Sequence, residues 1–250
     1  MSLSGFATVE VHAEVGSTME RARAVAADID RPLPAVVIAD VQTAGRGRRG
    51  ARWWQAPGSL AASIVIDECS AGAAPQPTWS LACGVALAEA IAAIEPSIEA
   101  LVRWPNDLEA GGRKIAGILL ETAPRGRAIL GIGVNTTGSV GDAPESLRDR
   151  LTTVCDLTGR TLPRELLLGE FLPRFIGLVQ AMADDPAALV ARYRPRCSLE
   201  GQPVTVFRGE ERVRGMCRGI DSDGGLLIDT GAGRVSITSG SLTDPADVWR

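Results

Sequence analysis

Two hydrophobic patterns alternate along the first two thirds of the chain. Short apolar runs rich in Val, Ile and Leu predict β-strands near residues 7–15, 35–40, 59–67, 98–104, 114–122 and 127–135. Longer segments with apolar residues at helical spacing predict helices near 18–29 and 78–95. This alternation predicts an α/β (α+β) fold in which helices cover a mixed β-sheet.

The pattern changes after residue 140. Residues 144–157, 162–185 and 186–197 have helical character, and Pro173 is expected to kink or divide the second of these stretches. After Cys197, four short apolar runs alternate with Gly- and Asp-rich turns, which predicts a small β-barrel of about fifty residues. We therefore predict two domains, residues 1–198 and residues 199–250.

Composition restricts the classes of protein. The chain has 250 residues, 45% of them hydrophobic and 22% charged, and the sequence has neither a run of about twenty apolar residues nor a signal peptide at its start. Five widely spaced cysteines without a C-x-x-C pair predict free thiols, and a single histidine, His12, removes most zinc sites and histidine-based catalytic pairs. These features predict a soluble cytoplasmic protein without a membrane partner.

The segment "GRGRRG" (residues 45–50) fits two familiar patterns. A dinucleotide-binding turn requires a helix after the third glycine, but two tryptophans and a Pro57-Gly58 turn lead into another apolar strand instead. A nucleic-acid grip is disfavoured because the net charge is −4. The clustered arginines instead indicate a loop for a small anion, with carboxylate or phosphate bound bidentately, and the alternative is a solvated surface turn.

Four other motifs carry polar side chains at the ends of predicted elements. Ser17 opens the first helix, where a capping box with Glu20 is expected. "RWPND" (residues 103–107) places an amide and a carboxylate after a strand, and "KIAGILLE" (residues 114–121) places a lysine at the mouth of the next strand with a glycine inside it. "GIGVN" (residues 131–135) ends in an asparagine that could read a nucleobase edge or cap a turn.

In this order and spacing, the four motifs and the glycine–arginine loop resemble the biotin protein ligase family across essentially the whole chain. The resemblance implies a catalytic α/β domain followed by a small SH3-like barrel. It also implies a two-step reaction. The biotin carboxylate attacks the α-phosphorus of ATP with Mg²⁺ to give biotinyl-5′-AMP, and a lysine of a biotin carboxyl carrier domain then takes the biotinyl group. Such chemistry needs fixed cations rather than a protein nucleophile.

The resemblance also implies roles for individual residues. Lys114, Arg48 and Asp107 would be catalytic, with Asp107 near the Mg²⁺ ion. The residues implied for biotin are Ser17, Thr18, Gln42, Gly45, Arg46 and Gly117. The residues implied for ATP or the adenylate are Arg48, Arg49, Trp53, Asn106, Lys114 and Asn135.

The chain departs from the family pattern at three positions. Met19 stands where the family often has Asn, "LAAS" (residues 60–63) lacks a Tyr, and Arg103 replaces a common Lys. These changes bear on the biotin pocket more than on the reaction class. A lipoate ligase of similar fold and a non-catalytic biotin- or RNA-binding module are the alternatives. No DNA partner is expected, since the residues before the first helix read as a strand, and a homodimer is possible.

Overall fold

The computed structural model describes residues 3–242. These residues form eleven strands: β1 (Thr8–Val15), β2 (Ala35–Gln42), β3 (Leu60–Asp67), β4 (Leu101–Arg103), β5 (Asp107–Ala110), β6 (Arg113–Ala123), β7 (Arg127–Val134), β8 (Pro203–Arg208), β9 (Glu211–Ile220), β10 (Leu226–Thr230) and β11 (Gly233–Ile237). The same residues form seven α-helices: α1 (Thr18–Ala27), α2 (Glu68–Ala71), α3 (Trp79–Ile94), α4 (Glu145–Arg148), α5 (Val154–Thr158), α6 (Arg164–Asp184) and α7 (Ala187–Tyr193).

The first seven strands form one mixed sheet in the order β1-β2-β3-β7-β6-β5-β4. Strands β1 and β2 are parallel, and every other neighbouring pair is antiparallel. The predicted mixed sheet is therefore confirmed. In the centre, Gly117 of β6 faces Gly133 of β7 across the ladder, so the sheet surface is bare at that point.

Helices cover both faces of this sheet. On one face, α1 packs Met19, Ala22 and Val25 against Val65 and Ile129. On the opposite face, α3 and α6 build the larger core. The rings of Trp79 and Phe175 meet edge to face at 5.4 Å, an arrangement that aromatic pairs prefer. The functional site lies on the α1 face, beyond the start of this helix.

Helix α6 is the one helix among the described residues that is long and apolar enough to cross a membrane by length and composition. Its apolar side packs in the core, where Phe171 stacks on Phe175 with ring centroids 5.6 Å apart. Pro173 was predicted to kink or divide this segment; it does not divide it, because one helix runs through the proline, and a kink stays a prediction. Burial of the aromatic residues on both sides of the proline outweighs the lost backbone hydrogen bond.

Two stretches differ from their predicted structure. Residues Asp107–Ala110, expected in a loop, form the short strand β5, which turns through Gly111 and Gly112 into β6. Residues 144–157, expected to be helical throughout, are divided into α4 and α5 by an extended segment in which Leu151 pairs with Lys114. Backbone pairing with the end of the sheet overrides local helix propensity there.

The last four strands form an antiparallel sheet in the order β11-β10-β9-β8, as predicted. Ser241 returns to pair with Phe207 of β8, which partly closes this sheet. The indole N–H of Trp104 donates to the carbonyl of Gly224 at 3.0 Å and ties the two sheets together. The predicted domain boundary at 198/199 stays a prediction, and residues 243–250 of the second domain lie outside the described residues.

Candidate active site

A cavity of about 490 Å³ lies on the α1 face of the large sheet. The arginine loop, which we define as residues 45–53, covers it from one side, and residues 147–151 and 240–242 close it from others. The predicted site residues that line the cavity are Ser17, Thr18, Gln42, Arg46, Arg48, Arg49, Trp53, Asn106, Asp107, Lys114 and Gly117. The fold thus brings together side chains from four separate sequence motifs.

The inner end of the cavity is polar. The backbone N–H and the hydroxyl of Thr18 both donate to Oε1 of Gln42, at 2.9 and 3.1 Å, and Ser63 donates to the Thr18 hydroxyl at 2.8 Å. Because Oε1 of Gln42 is occupied in this way, its amide nitrogen is the group left to donate to a ligand. Ser63 is fully buried in β3, and sequence reasoning missed it because a lone serine in an apolar strand carries no signal of a partner 45 residues away.

Ser17 is the N-cap of α1, but the predicted capping box is wrong. Its backbone is extended, at φ −156° and ψ 136°, and its side chain makes no capping hydrogen bond. The hydroxyl lines the cavity instead, next to Thr18, and it is therefore available to a ligand.

Glycines make the middle of the cavity flat and apolar. The indole of Trp53 lies on Gly117 and Gly133, and a Cβ at Gly133 would stand 2.5 Å from Cε2 of the ring. Met19 lies on Gly131 in the same way, with its sulfur 2.7 Å from where a Cβ would be. Side chains at these glycines would displace the Trp53 indole and the Met19 thioether. The site therefore requires glycine at these positions of the sheet.

Lys114 and Asp107 form an ion pair on the wall of the cavity. The ammonium of Lys114 donates to Oδ1 of Asp107 at 2.6 Å and lies 5.6 Å from the ring centroid of Trp53, within reach of a cation–π interaction. The β5–β6 hairpin brings these two residues together. Lys114 is also the only lysine in the 250-residue sequence, a feature that the motif analysis did not use.

The arginine loop is a tight turn stabilised by its own backbone. Arg46 pairs with Arg52, and the N–H of Gly47 donates to the carbonyl of Ala51 at 2.7 Å. At the tip, Arg49 has φ 55° and Gly50 has φ 77°. The left-handed conformation costs a non-glycine residue about 1 kcal/mol. Such strained residues are common in loops that bind ligands.

Arg48 points inward from this loop. Its guanidinium donates from Nη1 to Oδ1 of Asn106 at 3.0 Å. Burial lowers the pKa of Arg48, as does the charge of Arg49, whereas the charge of Asp107 raises it. Because the pKa of arginine is above about 12, Arg48 remains a cation that is only partly hydrated.

Two predicted residues do not line the cavity. Gly45 is buried at the base of the arginine loop, where its carbonyl accepts the N–H of Trp53 at 3.0 Å. Asn135 is fully buried behind the wall and donates from its side chain to the carbonyl of Thr152 at 3.0 Å. Its Oδ1 has no partner among the described residues. The predicted contacts of Gly45 with biotin and of Asn135 with ATP stay predictions.

Two wall segments came from parts of the chain without a predicted role. Leu147 and Leu151 pack with Trp54 and line the cavity together with Asp149 and Arg150. Gly240, Ser241 and Leu242 reach the cavity from the C-terminal sheet. The sequence carried no signal for either segment, since long-range backbone pairs place both of them.

A magnesium site was predicted at Asp107. Residues 3–242 contain no group of three His, Cys, Asp or Glu side chains placed to hold a metal ion. Mg²⁺ that accompanies a nucleotide typically takes one or two carboxylates, with phosphates and water as its other ligands. Asp107, with Glu109 two residues away on the same cavity wall, fits that kind of site.

Comparisons with known proteins agree with this geometry. Residues 29–135 match the Biotin/lipoate A/B protein ligase family, and residues 201–241 match the Biotin protein ligase C terminal domain. The biotin--[acetyl-CoA-carboxylase] ligase of Mycobacterium tuberculosis is 34% identical over 249 residues, covering 96% of this chain and 90% of that protein. The ligase of the same name from Paracoccus denitrificans is 32% identical and covers 82% of this chain and 88% of that protein.

A solved structure shows the same fold. The biotin protein ligase from Aquifex aeolicus in complex with biotin and ATP superimposes with a TM-score of 0.82 at 28% identity, over 94% of this chain and 97% of that one. Both the large mixed sheet and the C-terminal sheet are therefore shared with a ligand-bound relative. The chain belongs to the biotin protein ligase family.

Proposed function

We propose that this chain is a biotin–[biotin carboxyl-carrier protein] ligase, which activates biotin with ATP as biotinyl-5′-AMP and transfers the biotinyl group to a lysine of a biotin carboxyl carrier domain. The observation that carries the proposal is the meeting of two cations, Lys114 and Arg48, over one cavity with a polar inner end. Relatives named for biotin ligation, and one solved with biotin and ATP, support it.

The first step joins two anions. An oxygen of the biotin carboxylate attacks the α-phosphorus of ATP, an anhydride bond forms, and the bond to pyrophosphate breaks. Two unit charges at 4 Å repel by about 4 kcal/mol at an effective dielectric constant near 20, so fixed cations matter more than a nucleophile. Lys114 has three N–H donors and gives one to Asp107, which leaves others for carboxylate and phosphate oxygens.

The polar inner end suits the biotin ring system. A cyclic urea offers one carbonyl acceptor and two N–H donors. The amide nitrogen of Gln42 and the hydroxyls of Ser17 and Thr18 supply matching groups. Gly117 lets the acyl chain pass close to the sheet, while Arg46 lines the cavity and Gly45 supports the base of the arginine loop. Met19 adds an apolar contact where the family often has an amide.

The opposite end suits the adenylate. Arg48 and Arg49 present guanidinium groups to phosphate, and Trp53 offers a flat aromatic face to adenine. Asn135 would reach the nucleobase only if the wall in front of it moved, and its unpaired Oδ1 supports such a contact. Mg²⁺ bound through Asp107 and the phosphates would neutralise the pyrophosphate that leaves.

The second step needs an amine in its neutral form. The carrier lysine attacks the acyl carbon, and AMP leaves. Asp107 can accept the proton of the incoming ammonium because its carboxylate lines the cavity beside Lys114, where the acyl group is activated. The acetyl-CoA-carboxylase named in the relatives supports a carboxylase carrier domain as the acceptor.

Several coarser features belong to the same proposal. The division at 198/199 separates a biotin- and ATP-binding domain from a C-terminal SH3-like barrel, in agreement with the two family matches. We place the enzyme in the cytoplasm, where carboxylases and ATP are found, with neither DNA nor membrane as a partner. A homodimer through the open edge of β1 is compatible with the sheet order.

The proposal is tested with purified protein, ATP, Mg²⁺ and an apo carrier domain. Pyrophosphate release and mass spectrometry of the carrier are measured with biotin and, in parallel, with lipoate. We expect biotin-dependent pyrophosphate release and a carrier whose mass increases by one biotinyl group, with no reaction in the lipoate arm. Lipoylation without biotinylation would assign the chain to the lipoate branch, and no reaction with either acid would refute ligase activity.

A further inference from the structure

The arginine loop is attached to the cavity wall through a side chain. The backbone hydrogen bonds of Gly47, Ala51 and Trp53 lie within the loop and set its shape. Arg48 reaches out of the loop to Asn106, across 58 residues of sequence. This contact therefore determines where the guanidinium lies relative to Lys114 and Asp107.

Two hydrogen bonds to Ile118 fix the position of Asn106. Its side-chain nitrogen donates to the carbonyl of Ile118 at 2.8 Å, and its own carbonyl accepts the N–H of Ile118 at 2.8 Å. The two bonds clamp Asn106 to β6 from both its backbone and its side chain. Since the nitrogen is directed at Ile118, the oxygen is the atom that faces Arg48.

The acceptor for Arg48 is neutral. The bond to Asn106 uses Nη1, and neither Nε nor Nη2 of Arg48 makes a hydrogen bond within residues 3–242. One edge of the guanidinium therefore remains open for two parallel bonds to a phosphate group. An aspartate at position 106 could accept the same bond from Arg48, but it would lose the donor to Ile118 and would cancel the charge that an anionic intermediate requires.

We propose that Asn106 is a positioning residue that holds Arg48 in place without neutralising it, and that this contact sets how long the acyl-adenylate stays in the cavity. The proposal rests on the proposed function. It replaces the direct contact between Asn106 and phosphate that the family resemblance implied with an action through Arg48.

A double-mutant cycle tests the coupling. Asn106→Ala, Arg48→Ala and the double variant are compared by the rate at which preformed biotinyl-5′-AMP leaves the protein. We expect Asn106→Ala to speed release roughly 10- to 100-fold, because one hydrogen bond to a charged group is lost. In the Arg48→Ala background the same substitution should change the rate by no more than about threefold. Equal effects in both backgrounds would overturn the proposal.

Asn106→Asp keeps an acceptor for Arg48 and adds a negative charge, at the cost of the side-chain bond to Ile118; the backbone bond from Ile118 N–H remains. The arginine loop of this variant should resist trypsin in the presence of the intermediate as the wild type does, while pyrophosphate release slows roughly 10-fold or more. Biotin affinity should stay within about twofold of wild type in both variants, since Asn106 makes no bond at the polar inner end. An aspartate variant as fast as the wild type would contradict the requirement for a neutral acceptor.

Gln180→Ala is the matched control. Gln180 also donates from a side-chain amide to a backbone carbonyl, that of Ala71 at 3.1 Å, but it lies outside the cavity. Adenylate release from this variant should equal that of the wild type. Wild-type protein that forms no biotinyl-5′-AMP would refute the proposed function, an outcome distinct from additive mutant effects.

Discussion

At the scale of single residues, Lys114 combines a charge with a fixed position. The bond to Asp107 and the indole of Trp53 hold its ammonium over the glycine pair of the sheet. A cation placed in advance stabilises charge in the transition state without reorganising at the moment of reaction. The sequence offers no second lysine that could replace it.

Lys114→Ala should abolish most adenylate formation and leave biotin binding measurable. Charge-assisted bonds in a partly desolvated site suggest a barrier increase of about 2–4 kcal/mol, which is ~30- to 1000-fold in rate. Pyrophosphate release under single-turnover conditions measures the rate, and calorimetry measures biotin affinity. Lys114→Arg keeps the charge and should recover part of the activity. An alanine variant within threefold of wild type would contradict this assignment.

Asp107→Asn should impair transfer to the carrier lysine. The substitution keeps the size of the side chain but removes the charge that accepts a proton, a role worth roughly 100-fold or more in rate. Transfer from preformed biotinyl-5′-AMP isolates this step. Glu109→Gln is the control for this step alone, which consumes no ATP, because Glu109 lies on the same strand and cavity wall but pairs with Arg103. Transfer at the wild-type rate in Asp107→Asn would rule out the role.

At the scale of elements, the arginine loop joins two strands and carries four arginines. Without an anion these charges repel one another, so we expect trypsin to cut the loop readily at residues 46–52 and biotin plus ATP to protect it. Closure would exclude the water that hydrolyses the intermediate.

Arg48→Gly should weaken this closure and release biotinyl-5′-AMP. Free acyl-adenylate reacts with exposed lysines, so the variant should biotinylate added albumin that the wild type leaves unlabelled. Tryptic digestion with and without biotin and ATP, together with blotting of the albumin, measures both effects. Cleavage that is equal in the two states, together with unlabelled albumin, would reduce the loop to a surface turn.

Elements with a local pattern could be predicted from the sequence. Strands β2, β3 and β7 are apolar runs bounded by turns, and α3 is an apolar segment of helical spacing, so their positions followed from residues close together in the chain. Strand β5 was missed because "DLEA" contains two acids and gains its structure from pairing with β6. The extended segment at Leu151 depends equally on a partner far away in the sequence.

The site divides in the same way. Residues in motifs, such as Arg48, Asp107 and Lys114, line one cavity, as the family resemblance implied. Ser63, Leu147 and Leu151 were missed, because their roles come from tertiary contacts. The predicted capping box failed for a related reason, since the hydroxyl of Ser17 faces the cavity rather than the helix.

At the scale of the whole molecule, the large sheet and the C-terminal sheet share one hydrophobic core and are joined by polar contacts. Trp104 donates to Gly224, and a thiol pair lies at the same junction, with Cys197 beside β4 and Cys217 on β9. All five cysteines are free. A hydrogen bond from the Cys217 thiol lowers the pKa of Cys197 to about 7, and donating this bond, together with burial, raises the pKa of Cys217.

The rate at which Cys197 is alkylated should report the ionisation of the thiol at this junction. The thiolate is the reactive form, so the rate at which iodoacetamide modifies Cys197 should rise with pH through a midpoint at about 7 and then level off. Cys217→Ala removes the donor and should move the midpoint to higher pH. Cys83, whose pKa is raised by complete burial, serves as the unreactive reference within the same protein. An unchanged midpoint in Cys217→Ala would exclude the thiol–thiol hydrogen bond as the cause.

The single lysine has a consequence for the fate of the enzyme itself. Biotinyl-5′-AMP acylates amines but not guanidinium groups, which stay protonated at any physiological pH. A protein whose side-chain cations are almost all arginines offers its own product one ε-amine, that of Lys114, and the bond to Asp107 keeps it inside the cavity. The enzyme can therefore make a reactive acylating agent for many turnovers without marking its own side chains. Peptide mass spectrometry of the ligase after many turnovers should find no biotinylated side chain, and the N-terminal α-amine serves as the internal control for acylation.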